Sequence, residues 1–186
     1  MTVEEIFSGI ASHMIKGMMI HEHFANYYDF LGLEGYKVCH EYHFLEETLS
    51  YRKLCRYYLE HHNKLIQEER IDPPDIIPSK WYKHVRQDVD PTTKQNGIRS
   101  GLSKWVEWET DTKKLYEDMY KELMALGQIA DALFVSELIC DVSDELTTAT
   151  RDYLYKEAIS YNMSDIVNEQ DHIRLKCEKK MKKLLQ

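Results

Sequence analysis

The chain has 186 residues, 43% of them hydrophobic, and a formal net charge of −8. That length suits one domain with a sizeable core, so residues 1–186 read as a single domain. The acidic balance argues against a nucleic-acid partner, because phosphate contacts need clustered Lys and Arg. The basic run Lys179-Lys180-Met181-Lys182-Lys183 reads as a solvated helix end, where cations complement the helix dipole. Cys39, Cys55, Cys140 and Cys177 lack CxxC or zinc-finger spacing. With no secretory signal and no apolar run near ~20 residues, the expectation is a cytoplasmic protein with reduced thiols and no membrane partner.

The chain predicts four long helices and a shorter fifth. The first covers residues 3–31, with Thr2 and Glu5 as a capping box. Ile6, Ile10, Met14, Gly17, His21, Phe24, Ala25 and Tyr28 fall on one face, with Glu22 towards its edge. A tight corner at Leu31 to Gly35 leads to a second helix from about Gly35 to Glu69. Val38, Tyr42, Leu45 and Leu49 line one side of it, and Leu54 and Tyr58 the other, together with His40, His43 and Glu47. Two apolar sides predict an inner or subunit-facing rod, hence a homo-oligomer, a dimer or larger.

A long link follows from about Ile71 to Gly101. Asp72-Pro73-Pro74 and Ile77-Pro78 predict an extended start. Ser79 to Val89 predicts a short helix anchored by Trp81, Val85 and Val89. Asp90-Pro91 reads as its stop and Asn96-Gly97 as a turn. The third helix is expected over Leu102 to Ala125, with Trp105, Trp108, Glu109, Thr112, Tyr116 and Leu123 inward. A second corner near Leu126 to Ile129 precedes the fourth, Gln128 to Ser160, with Leu138, Val142, Glu145 and Ala149 inward. Ser164 to Leu184 forms the fifth. The order of connections, tight, long, tight, specifies an all-α antiparallel four-helix bundle with a long crossover between helices 2 and 3.

Acids on apolar arcs mark the candidate site. Burying a lone carboxylate costs several kcal/mol, so such a group needs a cation, a metal or a raised pKa. Glu109 lies between Trp105 and Thr112-Tyr116. Glu145 lies among Leu138, Val142 and Ala149, with Asp141 one turn earlier. His43 and Glu47 are four apart, hence neighbours on one helix face. His21 is central on the first helix and Glu22 marginal. Carboxylates and imidazoles converging from four helices would build an iron or manganese site, with Glu47, Glu109, Glu145, Asp141, His43, His21 and Glu22 as candidate metal ligands. No Gly-x-Ser-x-Gly elbow or phosphate-binding glycine loop points to another chemistry.

The helix order, the crossover and the fifth helix together resemble the ferritin-like superfamily, over nearly the whole chain. Tyr28-Asp29-Phe30-Leu31-Gly32, followed by Tyr36 and Cys39-His40-Glu41, resembles the corner of DNA-protecting mini-ferritins. Leu45-Glu46-Glu47 resembles the acidic ligand segment of ferritin's second helix, and Phe134-Val135-Ser136-Glu137, leading to Asp141, the run before the fourth-helix ligands. The resemblance implies iron handling, at most a divergent di-metal oxidoreductase or ferroxidase. The sequence departs from it where such sites use Glu-x-x-His: Ser50 follows Glu47 and Thr148 follows Glu145 at that spacing. Glu169 and His172 keep the spacing but read as solvated. Two functions stay open: a rearranged metal site with imidazoles from His21, His40 or His43, or a metal-free bundle serving as a structural or interaction module.

Overall fold

The computed structural model describes residues 1–68 and 89–186. Its described helices are α1 (Val3–Phe30), α2 (Glu34–His62), α3 (Pro91–Ala125), α4 (Ile129–Ala158) and α5 (Met163–Leu184). At α1, the Thr2 side chain accepts from the Glu5 amide while Glu5 accepts from the Thr2 amide, so the expected capping box is present. The two tight corners turn on Gly32 and Gly127, with φ of 73° and 72°. Only a residue without Cβ adopts this conformation readily, and each ends its helix as a left-handed C-terminal cap.

Contacts along the rods give their directions. Phe7 meets Tyr58 and His62, whereas Tyr28 meets Tyr36, so α1 and α2 are antiparallel. Lys53 meets Glu137 and His43 meets Glu145, so α4 runs antiparallel to α2. Gly101 lies against Tyr28 and Gly9 against Met119, so α3 is antiparallel to α1. It follows that α2 and α3 point the same way, and the segment between them joins opposite ends of the bundle. The predicted helix from Ser79, with its anchors Trp81 and Val85, and the extended Asp72-Pro73-Pro74 and Ile77-Pro78 stretch lie outside the described residues. Val89 is described, and packs half-buried against the core.

Three expectations around the crossover are corrected. The third helix begins at Pro91, well ahead of the expected Leu102: Asp90 accepts from the Thr93 amide at 2.9 Å, and Pro91 occupies the first helical turn, where its missing N–H costs nothing. Asn96-Gly97 is helical, and Gly97 is small because the Tyr27 hydroxyl and Leu31 press on it. At its other end, α2 stops at His62, with Asn63 left-handed at φ 53°, short of the expected Glu69.

The core has two apolar blocks. One gathers Ile6, Phe7, Ile10, Met14, Leu54, Tyr58, Leu123, Val135 and Leu138. The other gathers Phe24, Tyr28, Tyr36, Ile98, Leu102, Trp105 and Ala149. The imidazoles and acids lie at the layer where the two blocks meet: His21 follows Ile20 on α1, His40, His43 and Glu47 fall between Tyr36 and Leu54 on α2, Glu109 follows Trp108 on α3, and Glu145 falls between Val142 and Ala149 on α4. Outside the bundle, Val38, Tyr42 and Cys177 form a further cluster joining α2 to α5. Val38 and Tyr42 of the second apolar side of α2 are thus covered by the chain's own fifth helix, while Leu45 and Leu49 lie outside that cluster.

Candidate metal centre

His21 from α1 and His40 and His43 from α2 are buried together against Trp105 of α3. The His21 ring centroid lies 5.4 Å from that of His40 and 5.3 Å from that of His43. His21 and His40 face each other through Nδ1 atoms 3.1 Å apart, which directs His21 Nε2 away, towards α3. There it lies 3.9 Å from Glu109 Oε1 and has no hydrogen-bond partner among the described residues. Trp105 Nε1–H donates to Glu109 Oε1 at 2.9 Å, one turn apart on α3.

The other side is built around His43. Its Nδ1 lies 3.1 Å from Glu46 and 3.2 Å from Glu145, close to both carboxylates but aligned as a hydrogen bond with neither. Glu145 therefore serves two triads. Ligand atoms of His21, Glu109 and Glu145 lie within 4.8 Å of one another, and so do those of His43, Glu46 and Glu145. Glu47 rests over Gly17 of α1, where a Cβ would come within 2.8 Å of its Oε1. The missing side chain on α1 makes room for the acid from α2.

Glu46, Glu47, Glu109, Asp141 and Glu145 line one cavity of about 30 Å³, with Tyr116 and Thr112 on its wall. No Lys or Arg side chain lines it among the described residues. Like charges at this density push pKa values up. Burial and Glu145 raise Glu109 well above the usual carboxylate range, although His43 and Trp105 oppose it. Burial and Glu145 do the same to Glu47. Asp141 is raised mainly by burial. The imidazoles diverge. Burial holds His21 and His40 well below the ordinary histidine value. Burial also opposes charge on His43, but Glu145 and Glu46 together outweigh it and push the group up to about 10. A larger cleft of about 410 Å³, lined by His43, Glu46, Asp141, Asp144, Glu145 and Lys180, opens the centre to the surface between α2 and α4.

Of the residues singled out in the sequence, Glu47, Glu109, Glu145, Asp141, His43 and His21 lie at this layer. Glu22 does not: it is exposed on the outer side of α1, where it accepts from Asn26 Nδ2 at 3.4 Å. Glu46 was missed as a site residue. Its signal is His-x-x-Glu, residues 43 to 46, the reverse order of the motif sought. At i,i+3 the two side chains share a helix face in either order. The set of imidazole and carboxylate donors, with no thiolate, fits iron or manganese. The excess of acids and the unpartnered Nε2 of His21 are what a cation would satisfy.

No protein-family model matches the sequence, and no curated protein is significantly similar to it. Solved structures match the fold. A humanized archaeal ferritin superposes with a TM-score of 0.77 at 15% identity, over 94% of this chain and 98% of that one. An open pore ferritin from the hyperthermophilic archaeon Archaeoglobus fulgidus superposes with a TM-score of 0.76 at 16% identity, over 92% of this chain and 95% of that one. A closed form of the Archaeoglobus fulgidus ferritin, engineered by mutagenesis, gives 0.76 at 15% identity. The chain has the ferritin-like fold.

Proposed function

We propose that this ferritin-like bundle holds iron or manganese between its four core helices and handles that metal. The observation that carries the reading is the pair of His-carboxylate triads sharing Glu145. His21 and Glu109 would hold a cation on one side, His43 and Glu46 on the other, with Glu145 common to both. Glu47 lines the same cavity and would add a further carboxylate ligand, and Asp141 adds charge. Bound iron would supply one-electron redox chemistry towards oxygen or peroxide, the role of a ferroxidase. The protein's own contribution is positional. Trp105 fixes the Glu109 carboxylate, and His40 sets the ring orientation of His21, as outer partners of metal ligands do. The apolar blocks above and below exclude water, and the acidic cleft between α2 and α4 gives cations a route in. Self-assembly belongs to the same reading, by analogy with ferritins, and solution mass tests it.

One observation favours a second reading. The His43 imidazolium, set between Glu46 and Glu145, is itself a cation for the cluster. A metal-free bundle would keep the layer as an internal ion network, and the chain would be a structural or interaction module. Glu109→Gln separates the two readings. Gln keeps the shape and can still accept from Trp105, but is a poor metal ligand. Under the metal reading the variant stays folded and loses bound iron or manganese. If its stability changes while metal content does not, Glu109 is a structural acid. Aerobic addition of ferrous iron then asks about turnover: without oxygen uptake and ferric absorbance, the ferroxidase role is refuted.

A further inference from the structure

The α2–α5 contact holds a feature the metal centre does not use. Cys39, near the start of α2, and Cys177, on α5, are both free thiols. They lie in one apolar cluster with Val38 and Tyr42. They also line one pocket of about 130 Å³, which gives a small molecule room beside the sulfurs. The pocket wall is basic, with Arg151, Lys176 and Lys180 against Asp152. Cations near a thiol favour the thiolate, the form that attacks electrophiles. The other cysteines have no such setting: Cys55 is half-buried on α2 and Cys140 exposed on α4.

The geometry assigns Cys39 and Cys177 as a dithiol pair that hydroperoxides oxidise to a disulfide, tying α5 covalently to α2. The Cys177 thiolate attacks a peroxide oxygen, the O–O bond breaks, and the departing oxygen leaves as water or an alcohol. Cys177 is then a sulfenic acid. The Cys39 sulfur attacks Cys177 Sγ, the S–S bond forms, the S–O bond breaks, and water leaves. The peroxide is reduced by two electrons and the two thiols are oxidised by two. The thiols differ in the direction this order requires. The hydrogen bond from Cys39 holds Cys177 down to about 7 against its burial, helped by His43, Lys180 and Lys176. The same hydrogen bond and burial push Cys39 well up. His43 lines this pocket too, so the bridge would close on the wall beside the candidate metal centre.

The test is hydrogen peroxide treatment of the full-length protein with metals chelated, which keeps it independent of the metal reading. Thiol titration and peptide mapping read the result. The wild type should lose two of its four thiols, yield a Cys39–Cys177 linked peptide within one chain, and recover on reduction with dithiothreitol. Cys177→Ser should abolish the bridge and leave Cys39 a free thiol. Cys39→Ser should leave Cys177 oxidised to sulfinic acid. The proposal is overturned if Cys140 oxidises while Cys39 and Cys177 stay reduced, or if wild-type Cys177 reaches the sulfinic state unbridged.

Discussion

Gly17→Ala should move stability and metal affinity in opposite directions. Gly17 lies inside α1, where Ala is favoured over Gly by ~1 kcal/mol. The new methyl would sit 2.8 Å from Glu47 Oε1, 3.1 Å from its Cδ and 3.4 Å from Trp108 Cζ2. The Trp108 distance is ordinary packing. To restore contact near ~3.5 Å, the Glu47 carboxylate must retreat by about 0.7 Å. It is the far end of a flexible side chain, so the retreat costs little and the protein should keep most of the helix gain, raising Tm by roughly 2–4 °C. Ligand constellations tolerate only about 0.5 Å of displacement, so manganese affinity should fall at least ~10-fold. Thermal unfolding of metal-free protein and calorimetric titration with Mn²⁺ measure the two effects. A stabilised variant with unchanged affinity would show that Glu47 takes no part in binding.

Gly35→Ala would drive a Cβ into the backbone carbonyl of Gln170, where α2 crosses α5. Backbone cannot yield as a side chain does, so urea unfolding should show a loss of about 1–3 kcal/mol, and amide exchange should rise along α5. Gln170→Ala removes the acceptor for the Gly35 and Tyr36 amides, at 3.0 Å and 3.3 Å, from a helix whose N-cap Leu33 makes no side-chain cap. A loss of ~1 kcal/mol is expected, and no change in urea midpoint would refute the cap. His13 stacks on Trp108 at 4.3 Å, and burial, then Lys16, lower it to about 4. The unfolded state therefore takes the proton first, so stability falls as pH drops from ~6.5 to 4 and levels below that. Relative to its own value at pH 7.5, the wild type should lose up to ~3 kcal/mol more than His13→Gln at pH 4; parallel urea curves for the two would refute this.

Much of the bundle was legible because local signals and apolar phase agree. Thr2 and Glu5 cap α1 as their spacing predicts, and Gly32 and Gly127 mark both corners. The start of α3 was placed too late because Asp90-Pro91 was read only as a stop for the segment before it, and the Thr93 amide bonded to Asp90 shows that the dipeptide also opens a helix. Asn96-Gly97 fits a turn by local preference, yet the approach of Tyr27 and Leu31 makes the small residue a packing requirement inside a helix. The two-sided apolar pattern of α2 was legible, but its second partner was not. Periodicity says that a face is covered, never by what, and here α5 covers its Val38 and Tyr42 end.

At the site, Glu109 and Glu145 stood out because a carboxylate on an apolar arc needs an explanation. Glu22 sat at the edge of such an arc, where small phase errors decide between core and solvent, and it faces solvent. Glu46 was hidden by the opposite effect. It reads as a surface acid beside Glu47, and only the His43 Nδ1 contact at 3.1 Å brings it in. The shared role of Glu145 depends on which rotamers meet across α1, α2, α3 and α4. Helix phase alone does not carry that information.

The most direct measurement is an anaerobic titration of metal-free protein with Mn²⁺ or Fe²⁺, counting bound ions per chain, in the wild type and in Glu145→Gln. Two triads on one shared carboxylate predict about two ions per chain in the wild type and a loss of both in the variant, which should stay folded. Absence of binding to the wild type, or undiminished binding to Glu145→Gln, would contradict the account and leave the His43 ion network as the reason for the acids in this core.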